Sequence, residues 1–528
     1  MAGAGRRRRL HRDHALPGRP VLPAHDRAPR ELLRGPTRPA GAVVTASTPA
    51  AFAYPDHILD LLEPHLRSGS AAPAVVDPAG TLTYRELDGL TRRIAADLRG
   101  QGLSEGEPVL VHARLSGWAV AALLAVLRAG GRYVPVDAAF PPERQRRTFR
   151  LSGAKLVLAE PGVPSPPGPW RTVPVGPAID AAGPLGDPVR GPAAYTYFTS
   201  GTTGEAKPVT VPAVALAYST AARLAYYPDP VDGFLLCSSI AFDSSVAGIF
   251  WTLASGGRLI IPSDRPANLV AVQRAAARHR PSHLLMVPSL YALLLRSADP
   301  ARLASLTTVV VAGEACPPAL VARHFAVLPD TALHNEYGPT ECTVWSTVHR
   351  CTPADGAAAT VPIGVPIPGA TVTLRTPGGG GPVRPGTIGE IWIDGPGVAS
   401  GAGPHRSGDL ASVGPDGLLR FHGRFDDQLK LGGVRIELAE IEQAISGHPG
   451  ITAAAVGRSG DDPARLVAFL VAEQPVDTRA LRAYVLDRLP AVAVPARWVV
   501  LDRLPTQPSG KLDRGTLNRW AAGARGPA

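Results

Sequence analysis

Strand-like and helix-like patterns alternate along this chain from residue 84 to about residue 350. Apolar residues within 84–98 recur near helical spacing, residues 108–115 predict a strand, residues 117–129 a buried helix, and residues 133–136 a second strand. This βαβα alternation is typical of a mostly parallel sheet whose faces are covered by helices. The sequence therefore predicts the α/β fold class.

Two later segments depart from this alternation. Residues 361–425 are strand-rich, with a turn at Gly378–Gly381. The elements predicted after them are a helix at 437–446, strands at 451–457 and 466–472, a helix at 477–488 and a strand at 497–501. We therefore predict a large N-terminal domain over residues 49–425, made of helix-covered sheets and a β-rich subdomain. A small α+β domain over residues 426–520 and a tail over 521–528 would follow it.

Positive charge is concentrated at the amino terminus. The net charge is +10, and residues 1–40 hold ten arginines against three acids, a surplus of seven that leaves three for the rest of the chain. Such a basic block can mark a nucleic-acid or membrane contact, but we interpret residues 1–48 as a disordered leader. No apolar stretch follows Arg6–Arg9, as a secretory signal would require.

Several function classes are disfavoured by composition. The longest apolar run, Trp118–Leu127, is shorter than the roughly 20 residues that span a bilayer, so no transmembrane helix is expected. The four cysteines form no C-x-x-C pair, which favours reduced thiols in a cytoplasmic protein. We expect neither a membrane nor a nucleic acid as partner.

A segment rich in glycine and hydroxyl residues spans Tyr197–Lys207, with the sequence YFTSGTTGEAK. Glycines allow close backbone approach, and exposed amides and hydroxyls form a concave anion site. An ordinary polar turn is the alternative interpretation. The candidate anion-binding residues are Thr199, Ser200, Gly201, Thr202, Thr203, Gly204 and Lys207.

Four further motifs follow in the second half of the chain. Residues 335–341 (NEYGPTE) offer an aromatic face in Tyr337 and a hard oxygen ligand in Glu341. The others are residues 407–410 with Asp409, residues 423–442, and residues 508–514 with Lys511. Alone, each could be a charged surface turn.

Together and in this order, these motifs resemble the adenylate-forming enzymes, specifically the amino-acid adenylation domains of nonribosomal peptide synthetases. The resemblance covers about residues 50–520. The segments 82–87, 127–137, 242–250 and 389–398 also fit the family pattern.

The resemblance implies activation of an amino acid by MgATP to aminoacyl-AMP, with release of pyrophosphate. The small domain would be mobile about a hinge at Asp426, and a carrier-protein phosphopantetheine thiol would then attack. It also implies residue roles: Thr340 at the α-phosphate, Glu341 at Mg²⁺, Asn335 and Tyr337 at adenine, Asp409 at the ribose, Arg424 and Arg435 bracing the nucleotide, and Lys511 bridging carboxylate and α-phosphate.

The substrate pocket is likewise implied by the resemblance. Asp243 would pair with the α-ammonium group, since a buried carboxylate needs a partner; a helix N-cap is the alternative. The remaining lining would be Ser244, Ala247, Leu285, Val310, Ala312, Glu336, Val344 and Trp345. Glu336, in apolar surroundings, would seek a donor. This favours a tyrosine-like side chain first and a basic one second, with an aliphatic one if Glu336 points outward.

The chain also departs from the family pattern. The segment between Gly401 and Arg406 is short, and Gly432 stands where an arginine is common. No carrier segment follows Arg514, so we expect a free-standing enzyme that serves a carrier protein in trans. Some relatives need an MbtH-like helper, which makes such a protein a candidate partner.

Two other functions stay open at this stage. One is an acyl-CoA or aryl-acid ligase of the same fold, against which Asp243 argues. The other is a non-catalytic regulatory or nucleic-acid-binding relic. Lysine occurs only at positions 155, 207, 430 and 511, in a chain that otherwise uses arginine. Three of these four lysines fall in family motifs, which favours a retained chemical role for the ammonium group there.

Overall fold

Strands and helices alternate in the structure, a computed structural model that describes residues 43–45, 52–173, 187–200, 206–265, 268–424, 428–431, 434–458, 466–472, 474–506 and 512–523. The strands within these ranges, numbered in chain order, are β1 (Val43–Thr45), β2 (Pro73–Asp77), β3 (Gly80–Thr83), β4 (Pro108–Ala113), β5 (Arg132–Asp137), β6 (Leu156–Ala159), β7 (Arg171–Thr172), β8 (Ala193–Ser200), β9 (Ala206–Pro212), β10 (Gly233–Leu236), β11 (Arg258–Ile260), β12 (His283–Met286), β13 (Thr308–Ala312), β14 (Ala332–Tyr337), β15 (Thr347–Arg350), β16 (Val365–Pro366), β17 (Thr371–Arg375), β18 (Gly389–Asp394), β19 (His405–Val413), β20 (Leu419–Arg424), β21 (Gln428–Leu431), β22 (Val434–Glu437), β23 (Ala453–Arg458), β24 (Leu466–Val471) and β25 (Arg497–Val500).

The helices of the same ranges are α1 (Leu59–Leu66), α2 (Tyr84–Gly100), α3 (Gly117–Arg128), α4 (Pro142–Leu151), α5 (Ala213–Tyr226), α6 (Ser244–Ala254), α7 (Leu269–His279), α8 (Pro288–Ser297), α9 (Pro300–Leu303), α10 (Pro318–Val327), α11 (Leu438–Ser446), α12 (Thr478–Leu486) and α13 (Arg514–Ala521). Short 3₁₀ turns lie at Thr340–Cys342, Pro353–Ala357 and Ala491–Ala493.

Two mostly parallel sheets form the large N-terminal part. One has six strands in the order β7-β6-β4-β5-β8-β9, and the other has nine in the order β16-β15-β14-β13-β12-β10-β11-β2-β3. Among the described strands of these two sheets, antiparallel pairing is confined to β9 at the end of the first sheet and to β3, β15 and β16 in the second. The predicted α/β class is confirmed.

The helix patterns recognised in the sequence become α2 and α3. Thr83 and Glu86 form a reciprocal capping box that starts α2, and the Ser116 hydroxyl accepts a hydrogen bond from the Ala119 amide at the start of α3. Helix α3 is buried on every side, which explains its continuous apolar sequence. Among the described residues, no helix combines the length and apolar character needed to cross a membrane.

The strand-rich segment becomes a five-stranded antiparallel sheet in the order β1-β17-β18-β19-β20. Its edge strand corrects one prediction: residues 43–45 belong to this sheet, so the disordered leader predicted over 1–48 extends too far. The register is Val43 opposite Thr373 and Thr45 opposite Thr371. A strand of three residues is too short to recognise from sequence. It is ordered by pairing with a strand far along the chain.

The smaller C-terminal part contains β21–β25 and α11–α13. The elements predicted there are confirmed as α11, β23, β24, α12 and β25. Sequence reasoning missed the β21-β22 hairpin and helix α13. The hairpin's strands have four residues each, and the final helix has eight.

Candidate functional site

The carboxyl ends of three neighbouring parallel strands bring four of the predicted pocket residues together. Leu285 on β12 lies in register with Val310 on β13, and Ala312 on β13 with Glu336 on β14. Crevices outside the carboxyl ends of parallel strands are common ligand sites in α/β proteins. These four residues therefore share one edge of the nine-stranded sheet.

A strained turn supplies two more members of the predicted pocket, Val344 and Trp345. Thr343 and Val344 have φ values of 57° and 80°, which β-branched residues rarely adopt. The Thr343 hydroxyl donates to the Gly397 carbonyl at 2.7 Å, and the Thr343 carbonyl accepts from the Ser219 hydroxyl at 2.8 Å. These two hydrogen bonds hold the turn in its uncommon conformation.

Asp243 precedes helix α6, where Ser244 and Ala247 also lie. It occupies the N-cap position, but its side chain makes no capping hydrogen bond. The alternative interpretation as a helix cap is therefore not realised. Its carboxylate lies near the buried phenols of Tyr195 and Tyr197, whose pKa values are raised by burial first and by Asp243 as a further contribution.

Glu336 is buried and has its own partners within the protein. The Arg223 guanidinium donates two hydrogen bonds to its carboxylate, at 2.6 and 2.8 Å, and the Tyr227 hydroxyl donates a third at 2.5 Å. The premise that Glu336 needs a donor from the substrate is therefore wrong. Arg223 and Tyr227 were missed by sequence reasoning, because they lie more than a hundred residues earlier and belong to no recognised motif.

Aromatic rings enclose this ion pair. The Arg223 guanidinium carbon lies 4.3 Å from the ring centroid of Trp345 and 5.5 Å from that of Trp251. Tyr227 packs against both indoles, and the Trp345 indole nitrogen donates to the Ser219 carbonyl at 3.2 Å. Cation–π contacts of this kind favour a cation that is removed from water.

A second group of predicted residues surrounds Asp409 on β19. One carboxylate oxygen accepts from the Tyr337 hydroxyl and the other from Arg424, each at 2.6 Å. Burial, and next the negative charge of Asp409, holds the pKa of Tyr337 well above its usual value, so the hydroxyl stays protonated and remains a donor. Asp409 is thus a buried carboxylate held in a defined orientation.

The remaining residues of 335–341 differ in exposure. Asn335 is buried, and its amide donates to the Pro362 carbonyl at 2.8 Å, so its adenine contact stays a prediction. Thr340 and Glu341 lie on a 3₁₀ turn and are half-buried. Among the described residues, no group of three or more acidic, histidine or cysteine side chains could hold a metal ion. A single carboxylate is nonetheless a fitting Mg²⁺ ligand where substrate phosphates supply the other oxygens.

The predicted anion loop is described only at its two ends. Thr199 is buried at the end of β8, and Lys207 is exposed on β9 directly opposite it in the hairpin. Other predicted residues, or their side chains, lie outside the described residues: Ser200, Gly201, Thr202, Thr203, Gly204, Asp426, Arg435 and Lys511.

A basic groove beside Thr199 was not predicted from the sequence. Arg144 and Arg147 on α4 line it together with Glu440 and Arg488 of the C-terminal part. Arg147 donates to Glu440 at 3.2 Å, and burial lowers the pKa of Arg144 to about 10. The two partners of this ion pair are 293 residues apart, so no local pattern reveals it.

Comparison with protein-family models agrees with this arrangement. The model of the AMP-binding enzyme matches residues 62–401, and that of the AMP-binding enzyme C-terminal domain matches residues 440–511. The chain belongs to the AMP-binding enzyme family. The first match includes the three strand ends and the Asp243 region, and the second begins at Glu440.

Curated relatives of this AMP-binding enzyme are peptide synthetases of very different lengths. A plipastatin synthase of Bacillus subtilis (strain 168) is 35% identical over 493 residues, which cover 87% of this chain but 14% of the relative. The chain thus spans a small part of that synthetase. Syringomycin synthase SyrB1 of Pseudomonas syringae pv. syringae is 33% identical over 527 residues, covering 90% of this chain and 83% of the relative.

Solved structures agree with the fold. The structure of holo-PA1221, an NRPS protein containing adenylation and PCP domains, matches with a TM-score of 0.74 at 26% identity, covering 88% of this chain and 84% of that chain. This AMP-binding enzyme therefore has the fold of adenylate-forming enzymes, with a large N-terminal part and a smaller C-terminal one. Its relatives are nonribosomal peptide synthetase adenylation domains.

Proposed function

We propose that this enzyme activates an α-amino acid with MgATP as aminoacyl-AMP and transfers the aminoacyl group to the phosphopantetheine thiol of a separate carrier protein. The observation that carries the proposal is Asp243, a half-buried carboxylate directly before helix α6, the helix on which the predicted pocket residues Ser244 and Ala247 lie. A carboxylate in that position offers a partner to the α-ammonium group of an amino acid.

Asp409 is the nucleotide end of the proposed site. Hydrogen bonds from Tyr337 and Arg424 hold the two oxygens of this carboxylate in a fixed orientation, which suits acceptance of hydrogen bonds from the two ribose hydroxyls. Along the chain, Thr340 and Glu341 lie between Tyr337, which contacts this carboxylate, and Val344 of the predicted amino-acid pocket. Glu341 would hold Mg²⁺, which when bound neutralises charge on the phosphate oxygens.

Two bond exchanges complete the proposed reaction. A carboxylate oxygen of the amino acid bonds to the α-phosphorus of ATP, and the bond from that phosphorus to the leaving oxygen breaks, so pyrophosphate departs. The carrier thiolate sulfur then bonds to the acyl carbon, and AMP leaves with the electron pair. Because no protein nucleophile is needed, the chain's contribution is positioning and charge, with Lys511 and the anion loop proposed as the cations and donors.

Transfer of the aminoacyl group to the carrier thiol requires a change in the environment of the mixed anhydride bond of aminoacyl-AMP. We propose that the part of the chain after Asp426 moves as a small domain about that residue. The Arg147–Glu440 ion pair joins α4 to α11, and both of its side chains are partly exposed. A contact of this type contributes little free energy and can break and reform, which suits a movable boundary.

The experiment that tests the proposal is amino-acid-dependent exchange of radiolabelled pyrophosphate into ATP, measured over a panel of amino acids and of carboxylic acids without an amine. Exchange with at least one amino acid, followed by loading of a holo carrier protein, is expected. Exchange confined to acids that lack an amine would instead identify an acyl-CoA or aryl-acid ligase. The panel is run with and without a co-expressed MbtH-like protein, so that helper dependence does not hide activity.

A further inference from the structure

We infer that the amino acid accepted by this enzyme has a short, uncharged side chain, of the size of alanine or serine, because the Arg223–Glu336 ion pair closes the floor of the pocket. The inference rests on the proposed function, since it concerns the side chain of the amino acid whose ammonium group Asp243 would bind. It replaces the tyrosine-like or basic side chain expected from Glu336 alone.

The pocket residues fall into an open mouth and a closed floor. The mouth consists of half-buried residues, namely Asp243, Ser244, Ala312 and Val344. The floor consists of residues that water barely reaches: Ala247 is 4% exposed, Leu285 3%, Val310 1%, Glu336 3% and Trp345 1%. A cavity deep enough for an aromatic ring would leave the atoms on its walls accessible to water. The space between the mouth and the floor is therefore shallow.

The floor is filled by side chains of the protein itself. Ala247 leaves room on helix α6, but Trp251, one turn later on the same face, packs against Tyr227 and Arg223. The Trp345 ring centroid lies 4.3 Å from the Arg223 guanidinium carbon. The volume that small residues would have left open is thus occupied by one cation and three rings.

The floor also offers a substrate no charged group that lacks a partner within the protein. Both oxygens of Glu336 accept from Arg223, and one accepts in addition from Tyr227. A basic substrate would compete with a bidentate, desolvated guanidinium, and breaking such a buried pair is costly. An acidic substrate would be placed beside Glu336. An uncharged side chain is the only class that leaves this arrangement intact.

The substrate preference of the wild-type enzyme tests the inference directly. Pyrophosphate exchange is measured with glycine, alanine and serine, and with leucine, phenylalanine, tyrosine and arginine. Exchange for at least one small amino acid is expected to exceed that for each large one by about tenfold or more, since a misplaced methylene group changes specificity by roughly 10- to 200-fold. Exchange confined to the large amino acids overturns the inference but upholds the proposed function, whereas exchange with no amino acid of the full panel, with or without the MbtH-like protein, overturns both.

Removing the pair tests its role in closing the floor. In the double variant Arg223→Ala with Glu336→Ala, the exchange rate for leucine relative to alanine is expected to rise about tenfold or more. The matched control is Arg128→Ala with Glu63→Ala, which removes a buried ion pair of 2.9 Å between α1 and α3. The control should lose stability but keep the wild-type ratio. An unchanged ratio in a folded pocket variant overturns the assignment of the pair, and the wild-type panel decides the substrate class even if that variant fails to fold.

Discussion

The Tyr337 hydroxyl donates a 2.6 Å hydrogen bond to Asp409, which lies 72 residues later on a different sheet. Arg424 approaches the other carboxylate oxygen from the neighbouring strand β20. The nine-stranded sheet and the antiparallel sheet are therefore joined at the residue proposed to bind ribose. A change at any of the three side chains should affect ATP before it affects the amino acid.

Asp409→Asn is expected to raise the KM for ATP about tenfold or more, because hydrogen bonds to a charged acceptor contribute about 1.5–3 kcal/mol each. Tyr337→Phe should raise it only a few-fold, since Arg424 still holds the carboxylate. Exchange kinetics at varied ATP measure both effects, with the KM for the amino acid as an internal control. An ATP KM unchanged in Asp409→Asn would remove this residue from the nucleotide site.

Asp243→Asn should lower amino-acid-dependent exchange about a hundredfold or more, because the substrate ammonium would lose the charge that pairs with it in a partly desolvated site. The matched control is Asp477→Asn, at a carboxylate that does cap its helix, accepting from the Arg479 and Ala480 amides. That variant should keep both its stability and its exchange rate, because asparagine caps a helix about as well as aspartate does. Near-normal exchange in Asp243→Asn would contradict the proposed amino-acid substrate.

Lys511→Ala is expected to abolish most adenylation, and Lys511→Arg to recover little, because a planar guanidinium does not replace a compact ammonium charge between two anions. Lys155→Ala is the control. Lys155 is exposed and bound to Glu107 at 2.9 Å, an ion pair of the kind that contributes at most about 1 kcal/mol. Single-turnover formation of aminoacyl-AMP measures the step, and equal rates for Lys511→Ala and wild type would refute the role.

The Arg223–Glu336 pair should show strong coupling in a double-mutant cycle of the free energy of unfolding. Arg223→Met and Glu336→Gln are each expected to lower the free energy of unfolding by about 3–5 kcal/mol, because each leaves one buried group without its partner. The double variant should cost less than the sum of the two. Urea unfolding followed by fluorescence provides the three values, and additive effects would show that the two side chains do not stabilise one another.

Stability should fall on mild acidification. Burial lowers the pKa of His283 to about 4 and that of His334 to about 3, both below the ordinary value of 6.5. The unfolded chain therefore binds more protons below pH 6.5. The stability that these neutral histidines contribute is fully present above that pH and is lost as the pH falls toward their folded pKa values. Each contributes a slope of up to about 1.4 kcal/mol per pH unit.

Urea unfolding at pH 7.5, 6.0 and 5.0 checks this expectation. His283→Gln should reduce the dependence by removing one of the histidines whose pKa is lowered by burial. Equal stability at pH 7.5 and pH 5.0 would contradict it.

The elements that were predicted correctly have local signals. Helices α2 and α3 and five elements of the C-terminal part follow from apolar periodicity and capping residues within a few positions of one another. The motifs of the proposed nucleotide site were recognisable because each is a short continuous segment, and because together and in order they resemble the family pattern. Strand β1 escaped prediction because its order depends on pairing with residues 371–373.

The sequence by itself determined the fold class, the order of the motifs and the residue types available to a nucleotide site. Only the tertiary structure decided what Glu336 does. Sequence shows a carboxylate between Asn335 and Tyr337, whose charge would need a partner wherever it is buried. Folding brings that partner from Arg223, 113 residues earlier, and encloses both in aromatic rings. Since pairing of buried charges depends on distance in space and not along the chain, the shape of the pocket could not be derived from its own residues alone.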